Sequence, residues 1–499
     1  MITASRMFLS ATLLTAFAAV SVGTMAAPAL AMDPPTTEFE ENAGTEWTSH
    51  QGELDFLADV AAMSDRVSIT TIATTEEGRP VQLVNIGHPT PHSTTDADAG
   101  MPVEFHFCSQ HGNEPAGREA CLRAIRDLAF TDDATLISQL GSQVTLFIPA
   151  ANPDGREANT RENANGVDLN RQHLQVDQEE VRAIGRIARD WSPAIAMDHH
   201  EYAGTPPLLY DDNLTVMWPR NKNVHVPLRD MAKEFVVGHT KTCTAADGFS
   251  MDEYGTLSLS VLPTETDVTQ TAGGWDDGIS RNIGGLRHSL GILIESDTLL
   301  TMQERVDAQL STIECTLEWM QTNGTAARDM MLESKAAKLL EGELRDEATF
   351  FDGQDEDTNA DALIVGSRTE STSVQDPPFC GFTLTDEQLS DAEVALEVHG
   401  IASEPIAAGG AFVSMAQQAE PVIGLLLDQR GFRHLVAATG LDDCSAFVVA
   451  TADTGTNTAT DVTDDTAVLG VNLASTGGGA IIGVLALLGA GAALRRREG

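Results

Sequence analysis

Four short runs of branched and aromatic residues constrain this chain most: 81–86, 103–108, 144–148 and 291–295. Side chains of this kind fit pleated surfaces that are buried. Between them, residues 119–130 and 178–191 place apolar positions at helical spacing. Strands alternating with helices must cover the faces of a sheet. The spacing therefore predicts an α/β fold over residues 46–333, with a mixed central sheet flanked by helices.

Composition changes near Gly353. Residues 353–377 are rich in Asp, Thr and Ser and predict an acidic linker. Residues 378–451 hold short strand-like runs and predict a small, mostly β, C-terminal domain. Residues 452–472 are Thr- and Asp-rich and suit a solvated stalk. Six cysteines are present. Cys380 and Cys444 bracket the small domain and are expected to pair, whereas Cys108 and Cys121 are expected as buried free thiols.

The two ends read as addresses. Arg6, an apolar run and Ala29-Leu30-Ala31 make residues 1–31 a secretory signal peptide with an A-x-A cleavage site. At the other end stand Leu473-Ala-Ser-Thr-Gly477, an apolar segment over 480–494, and Arg495-Arg496-Arg497. This tail resembles a sortase sorting signal of the LAxTG type. The resemblance implies cleavage after Thr476 and attachment to the peptidoglycan of a Gram-positive bacterium, with sortase and peptidoglycan as partners. A plain C-terminal membrane anchor is the alternative, and either places the protein outside the cytoplasmic membrane. The chain carries 74 acidic and 30 basic residues, a net charge of −44. That excludes the basic face a nucleic-acid binder needs and keeps the surface hydrated.

The chemistry-bearing residues follow the strand-like runs. His111 and Glu114 stand in an H-x-x-E pair just after residues 103–108, and a second run ends in Asp198-His199-His200-Glu201. Ligands of α/β sheets bind at the carboxyl ends of strands. A catalytic zinc takes three protein ligands, commonly two histidines and a glutamate, and leaves one position open. Glu295 ends another apolar run and is a candidate general base.

The set HGNEPAG at 111–117, NPDG at 152–155, R-x-N-x-x-GVDLNR at 161–171, D-x-H at 198–200 and a late strand ending in glutamate resembles the zinc carboxypeptidases of the carboxypeptidase A/B type. Residues 71–86, with Glu-Gly-Arg-Pro, resemble the segment that precedes the zinc motif there. The resemblance covers residues 46–297. It implies one zinc ion per chain held by His111, Glu114 and His200, with Asp168 accepting the other ring N–H of His111. It implies that Arg161 stabilises the oxyanion and that Asn170 and Arg171 clamp a free C-terminal carboxylate. Glu295 would take a proton from the attacking water and pass it to the leaving amine. The implied substrates are peptides with a free C-terminus.

Two positions depart from the pattern or add to it. Thr269 stands where the family commonly has a substrate-capping tyrosine. Asp276 aligns to the floor of the side-chain pocket, where an acid would favour a C-terminal Lys or Arg. A murein stem-peptide peptidase, and a catalytically inactive surface binding module on the same fold, are the competing readings. A deacylase of the aspartoacylase type fits the Arg161 and Asn170-Arg171 arrangement less well. Phe379, Phe382, Phe412, Phe432 and Phe447 are the ring faces available to a wall- or carbohydrate-binding module.

Overall fold

A computed structural model describes residues 33–202, 212–254, 256–258, 269–271, 274–353 and 371–447. The expected signal peptide, stalk and sorting signal, most of the expected acidic linker, and Tyr210 lie outside the described residues.

The predicted mixed sheet is present. Its strands are β1 (Val67–Thr74), β2 (Pro80–Ile86), β3 (Val103–Cys108), β4 (Val144–Ile148), β5 (Ile195–Tyr202), β6 (Leu214–Met217), β7 (Met251–Glu253) and, beyond a separate pair β8 (Thr256–Ser258) and β9 (Thr269–Thr271), β10 (Leu290–Asp297). Their order across the sheet is β1-β2-β4-β3-β5-β10-β6-β7. The central strands β4, β3, β5 and β10 run parallel, while β2 and β6 join them antiparallel.

The strands β3 and β4 are buried along their whole length because helices cover both faces. Val103, Phe105 and Phe107 pack with Ile184 and Ile187 of the helix Glu179–Trp191. The opposite face meets the helices Ala116–Phe130 and Met302–Leu344 through residues such as Phe147, Leu122 and Ile313. Thr301 and Glu304 form a capping box that starts the second of these, satisfying its first free N–H groups. Among the described residues no helix is long and apolar enough to cross a membrane.

The expected boundaries shift. Phe39 is fully buried and stacks on Trp47 at 5.1 Å between ring centroids, so the fold begins before residue 46. Residue 333 falls inside the helix Met302–Leu344 rather than at an edge.

The small C-terminal domain is also redrawn. Beyond a pair β11 (Thr349–Phe350) and β12 (Val374–Gln375), the strands β13 (Gly381–Leu384), β14 (Glu404–Pro405), β15 (Ala411–Ser414) and β16 (Thr439–Leu441) form a four-stranded antiparallel sheet. Two helices, Asp386–His399 and Glu420–Leu427, are interleaved with it, so the segment is α+β rather than mostly β. Its apolar residues Phe382, Leu384, Val413 and Leu425 share one core with Ile195, Ile292 and Ile294 of the large sheet. The described residues from Pro35 onward fall in one compact unit. The segment is therefore continuous with the large-sheet layer, because its apolar residues share that layer's core.

Three disulfides are formed: Cys108–Cys121, Cys243–Cys315 and Cys380–Cys444. The last is the expected pair. The first corrects the expectation of free thiols, since β3 and the helix Ala116–Phe130 bring both cysteines together. Of the five candidate ring faces, Phe382 and Phe412 are buried, and Phe412 stacks on Phe447. Only Phe432 is a strongly exposed ring, at 63%.

Candidate metal centre and substrate crevice

The loop after β3 carries His111 and Glu114, and its path is set by close backbone packing. Ser109 adopts a left-handed conformation, φ 54°, which turns the chain out of the strand. At Gly112 a Cβ would lie 1.9 Å from the Gly155 carbonyl carbon, so only glycine lets this loop meet the NPDG turn. Asn152 of that turn caps the helix Pro153–Ala158 by accepting from the Gly155 N–H at 2.8 Å. It also donates to the Gln110 carbonyl at 3.2 Å, tying the two loops together. The Glu-Gly-Arg-Pro segment has a matching role. Arg79 pairs with Asp154 of the turn at 2.7 Å, and Thr75 donates to the same carboxylate at 2.8 Å.

His200 comes from β5. Register across the parallel ladder sets Glu295 of β10 directly beside it. The three expected ligands converge: Nδ1 of His111, Nδ1 of His200 and the Glu114 carboxylate lie within 4.8 Å of one another. His200 Nδ1 is 3.0 Å from His111 Nδ1 and 2.7 Å from Glu114 Oε2. The second nitrogen of each ring faces another carboxylate. His111 Nε2 lies 3.0 Å from Asp168 Oδ1, and His200 Nε2 lies 2.7 Å from Asp198 Oδ2. A carboxylate behind each imidazole fixes which nitrogen is free to bind a metal. Two buried imidazoles and one buried carboxylate fit the zinc ligand set.

His199 takes the opposite face of β5 and belongs to the core. It lies 3.0 Å from His106 and 2.8 Å from Gln309 Oε1, while His106 meets Glu104 at 2.7 Å. Burial pushes both His106 and His199 down to about 3 and Glu104 up to about 8. All three are therefore neutral near pH 7, which is how such a chain of polar groups tolerates full burial.

Charge around the metal group follows its geometry. Burial alone would raise the Glu114 carboxyl, but His111 and His200 beside it hold it well below its ordinary value. The same contest leaves Asp168 low, through His111, Arg161 and Arg171. Glu295, half-buried at the crevice edge, goes the other way. Burial and then the Glu114 charge push it up to about 7, against the pull of His200, His111 and Arg161. A carboxylate near 7 is matched to accepting and returning a proton near neutral pH.

Arg161 lies beside the metal group. Nε and Nη2 donate to Asp168 Oδ2 at 3.0 and 2.9 Å, and Nη1 lies 3.0 Å from His111 Nδ1. Arg171 is 39% exposed toward solvent, leaving its guanidinium able to meet an anion. Asn170 differs from expectation. It is buried, its Oδ1 accepts from the Ser280 N–H at 2.8 Å, and its Nδ2 lies 3.1 Å from His200 Nε2. It positions His200 and the start of the helix Ser280–Leu286, so Arg171 is the exposed member of the pair.

Asp276 also differs. Both its oxygens are taken by Arg433, whose Nε and Nη2 lie 2.5 and 2.6 Å away. Asp277 beside it is buried and is pushed up to about 7 by burial and then by Asp276. Sequence reading did not single out Asp198 as a partner of His200, nor Gln110 and Ser280, which also donate to Asp198. The D-x-H spacing was the available signal for Asp198. Nothing local pointed to Arg433. Of the candidate capping tyrosines, Tyr202 is buried and donates to the Asp212 carbonyl at 2.8 Å. Tyr254 follows β7, and its N–H donates to the Val216 carbonyl at 3.0 Å.

Residues 54–255 match the family model for zinc carboxypeptidase. A probable carboxypeptidase 2 from Trichophyton verrucosum (strain HKI 0517) is 29% identical over 194 residues, covering 37% of this chain and 36% of the relative. Carboxypeptidase E from Caenorhabditis elegans is 30% identical over 162 residues, covering 28% of this chain and 33% of that protein. The chain thus spans about a third of the length of these curated relatives. A metallo-carboxypeptidase from Burkholderia cenocepacia aligns with a TM-score of 0.42 at 18% identity, covering 55% of this chain and 69% of that one. The stretch that matches this family model contains His111, Glu114, Arg161, Asp168, Asn170, Arg171 and His200; Glu295 lies beyond it.

Proposed function

We propose that this protein is a zinc-dependent carboxypeptidase that removes the C-terminal residue from peptides. The observation that carries the reading is the convergence of His111, Glu114 and His200, each imidazole backed by a carboxylate, with Glu295 set beside His200 across the ladder. Zinc bound there would polarise the scissile carbonyl and lower the pKa of water.

The remaining work falls to the chain's own residues. Arg171 receives the free carboxylate of the substrate in its planar fork. That contact requires a free C-terminus and makes the reaction exo-acting. Arg161, held by Asp168, brings its Nη1 beside the metal group, 3.0 Å from His111 Nδ1, where negative charge would develop on the carbonyl oxygen. Glu295 takes a proton from the attacking water and returns it to the departing amine.

We also propose that the enzyme is exported and held at the cell surface, by a sortase-type signal in a Gram-positive bacterium. The A-x-A site near residue 31, the LASTG tail and three disulfides support this reading, since disulfides persist in oxidising surroundings.

The test uses the protein purified without its two terminal signals. Peptides with free and with amidated C-termini are followed by mass spectrometry, with Glu295→Gln and chelator-treated samples alongside. Stepwise loss from free ends only, abolished by chelation and by the substitution, supports the proposal. Intact peptides in every arm despite bound zinc would refute it.

A further inference from the structure

The C-terminal segment reaches into the crevice at one point. The chain from Asp428 to His434 is pinned on both sides: Arg430 holds Asp428 through Nε and Nη2, the Gly431 N–H donates to the Asp428 carbonyl, and the Leu435 N–H donates to the Leu426 carbonyl. From this fixed turn Arg433 extends over Gly278. A Cβ at Gly278 would lie 2.5 Å from Arg433 Cδ and 2.4 Å from the Arg171 carbonyl oxygen, so the glycine clears the path of the arginine stem. The guanidinium ends in a two-pronged pair with Asp276. Both side chains are mostly covered, Arg433 at 18% and Asp276 at 21% exposure.

Asp276 Oδ2 is also 4.0 Å from Arg171 Nε. A peptide whose carboxylate rests on Arg171 therefore presents its last side chain beside the Asp276–Arg433 pair. The rings of Trp275 and Phe432, 5.6 Å apart and edge-on, flank the same place. An unpaired Asp276 would draw a C-terminal Lys or Arg. Here a basic side chain would have to displace an intramolecular arginine already bound through two hydrogen bonds, and would then face the released positive charge.

We propose that Arg433 is a specificity-determining residue that occupies the acidic anchor of the side-chain site and restricts the enzyme to peptides with uncharged, apolar C-terminal residues. The proposal rests on the carboxypeptidase reading, with Arg171 as carboxylate clamp.

The experiment measures kcat/KM for one peptide series ending in Leu, Phe, Arg or Lys, using wild type, Arg433→Gln, Arg433→Ala and the double variant Arg433→Gln/Asp276→Asn. Arg433→Gln keeps the stem over Gly278, and melting curves confirm that each variant folds. Wild type is expected to favour Leu over Arg by about tenfold or more, the effect of one unfavourable charge contact. Arg433→Gln is expected to move the Leu-to-Arg ratio at least about tenfold toward Arg, and Asp276→Asn in the double variant to remove that gain. A wild-type preference for Arg, or a ratio that stays within about twofold in folded Arg433 variants, overturns the proposal. Failure of every free-ended peptide to be cleaved overturns the carboxypeptidase reading instead, and the specificity proposal falls with it.

Discussion

Asp168 performs two tasks with its two oxygens, and Asp168→Asn separates them. Oδ1 lies 3.0 Å from His111 Nε2 and sets which nitrogen of that ring faces the metal group; Oδ2 holds Nε and Nη2 of Arg161. Asparagine keeps the shape and removes the charge. Loss of such a partner behind a zinc ligand costs about 10- to 100-fold in metal affinity, or about 1.4–2.7 kcal/mol. The Asp168 side chain is 23% exposed, so water replaces part of what is lost and the lower half of that range applies: about 10- to 30-fold. The Arg161 pair is more open, with that arginine side chain 38% exposed, and is worth about 0.2–1 kcal/mol. In zinc-saturated Asp168→Asn the further loss in kcat/KM is then only about 1.4- to fivefold. Asp198, behind His200, is fully buried, so Asp198→Asn should lose more zinc affinity than Asp168→Asn. Competition with a chromophoric chelator gives both affinities, and steady-state kinetics at saturating zinc gives the second term. Wild-type zinc affinity in Asp168→Asn, or the reverse ranking of the two variants, would refute the reasoning that partner burial sets the hold on each imidazole.

On the proposed reading Glu295 carries a proton and is not a ligand, so Glu295→Gln should lower kcat by about 10²- to 10⁴-fold while leaving zinc affinity within a few-fold; chelator competition and kinetics on one preparation check both halves. Zinc at about a hundred times its dissociation constant should stabilise the fold by about 2.7 kcal/mol, and a melting point unmoved by chelation would count against a site formed only in the folded state. Burial raises the Glu420 carboxyl from 4.5 to about 7, against the charge of Lys338. The folded state then keeps this proton to higher pH than the unfolded chain, so stability falls as pH rises from about 4.5 to 7 and stays reduced above it. Glu420→Gln should therefore be more stable than wild type at pH 8, by up to about 3 kcal/mol, with the gap closing below about pH 4.5; denaturant melts at both pH values decide it. Cys243 and Cys315 are 72 residues apart, so replacing both with serine should cost about 4 kcal/mol by the loop-entropy argument, read as a drop in denaturant midpoint.

The parts of this molecule that were legible in its sequence are those whose causes are local. Branched and aromatic runs became β2, β3, β4 and β10 because period and composition act within a few residues. His111 and Glu114 were legible because one loop carries both, and His200 because D-x-H places two side chains on one face of β5. That alternation also separates His200, at the metal group, from His199, turned into the core against His106 and Gln309. The pairing of Cys108 with Cys121 escaped because it depends on how the helix Ala116–Phe130 lies on β3, and no spacing encodes that. Asn170 was assigned to the substrate by position, yet the Ser280 N–H and His200 on either side of it use its amide inside the fold.

Asp276 shows why a residue's chemistry cannot be read without its partner. Taken alone, an aspartate beside a carboxylate clamp is a site for a basic side chain. Its partner lies 157 positions away, in a segment whose sequence suggested a separate domain. That segment cannot be separate, because Phe382, Val413 and Leu425 have no core except the one they share with Ile292 and Ile294. The same apolar burial fixes the turn that carries Arg433. A change to the C-terminal sheet would therefore be felt as a change in which peptides the crevice accepts, although no residue of that sheet touches the metal group. On this proposal the extension acts on selectivity through one guanidinium, and its packing energy holds that guanidinium against Asp276.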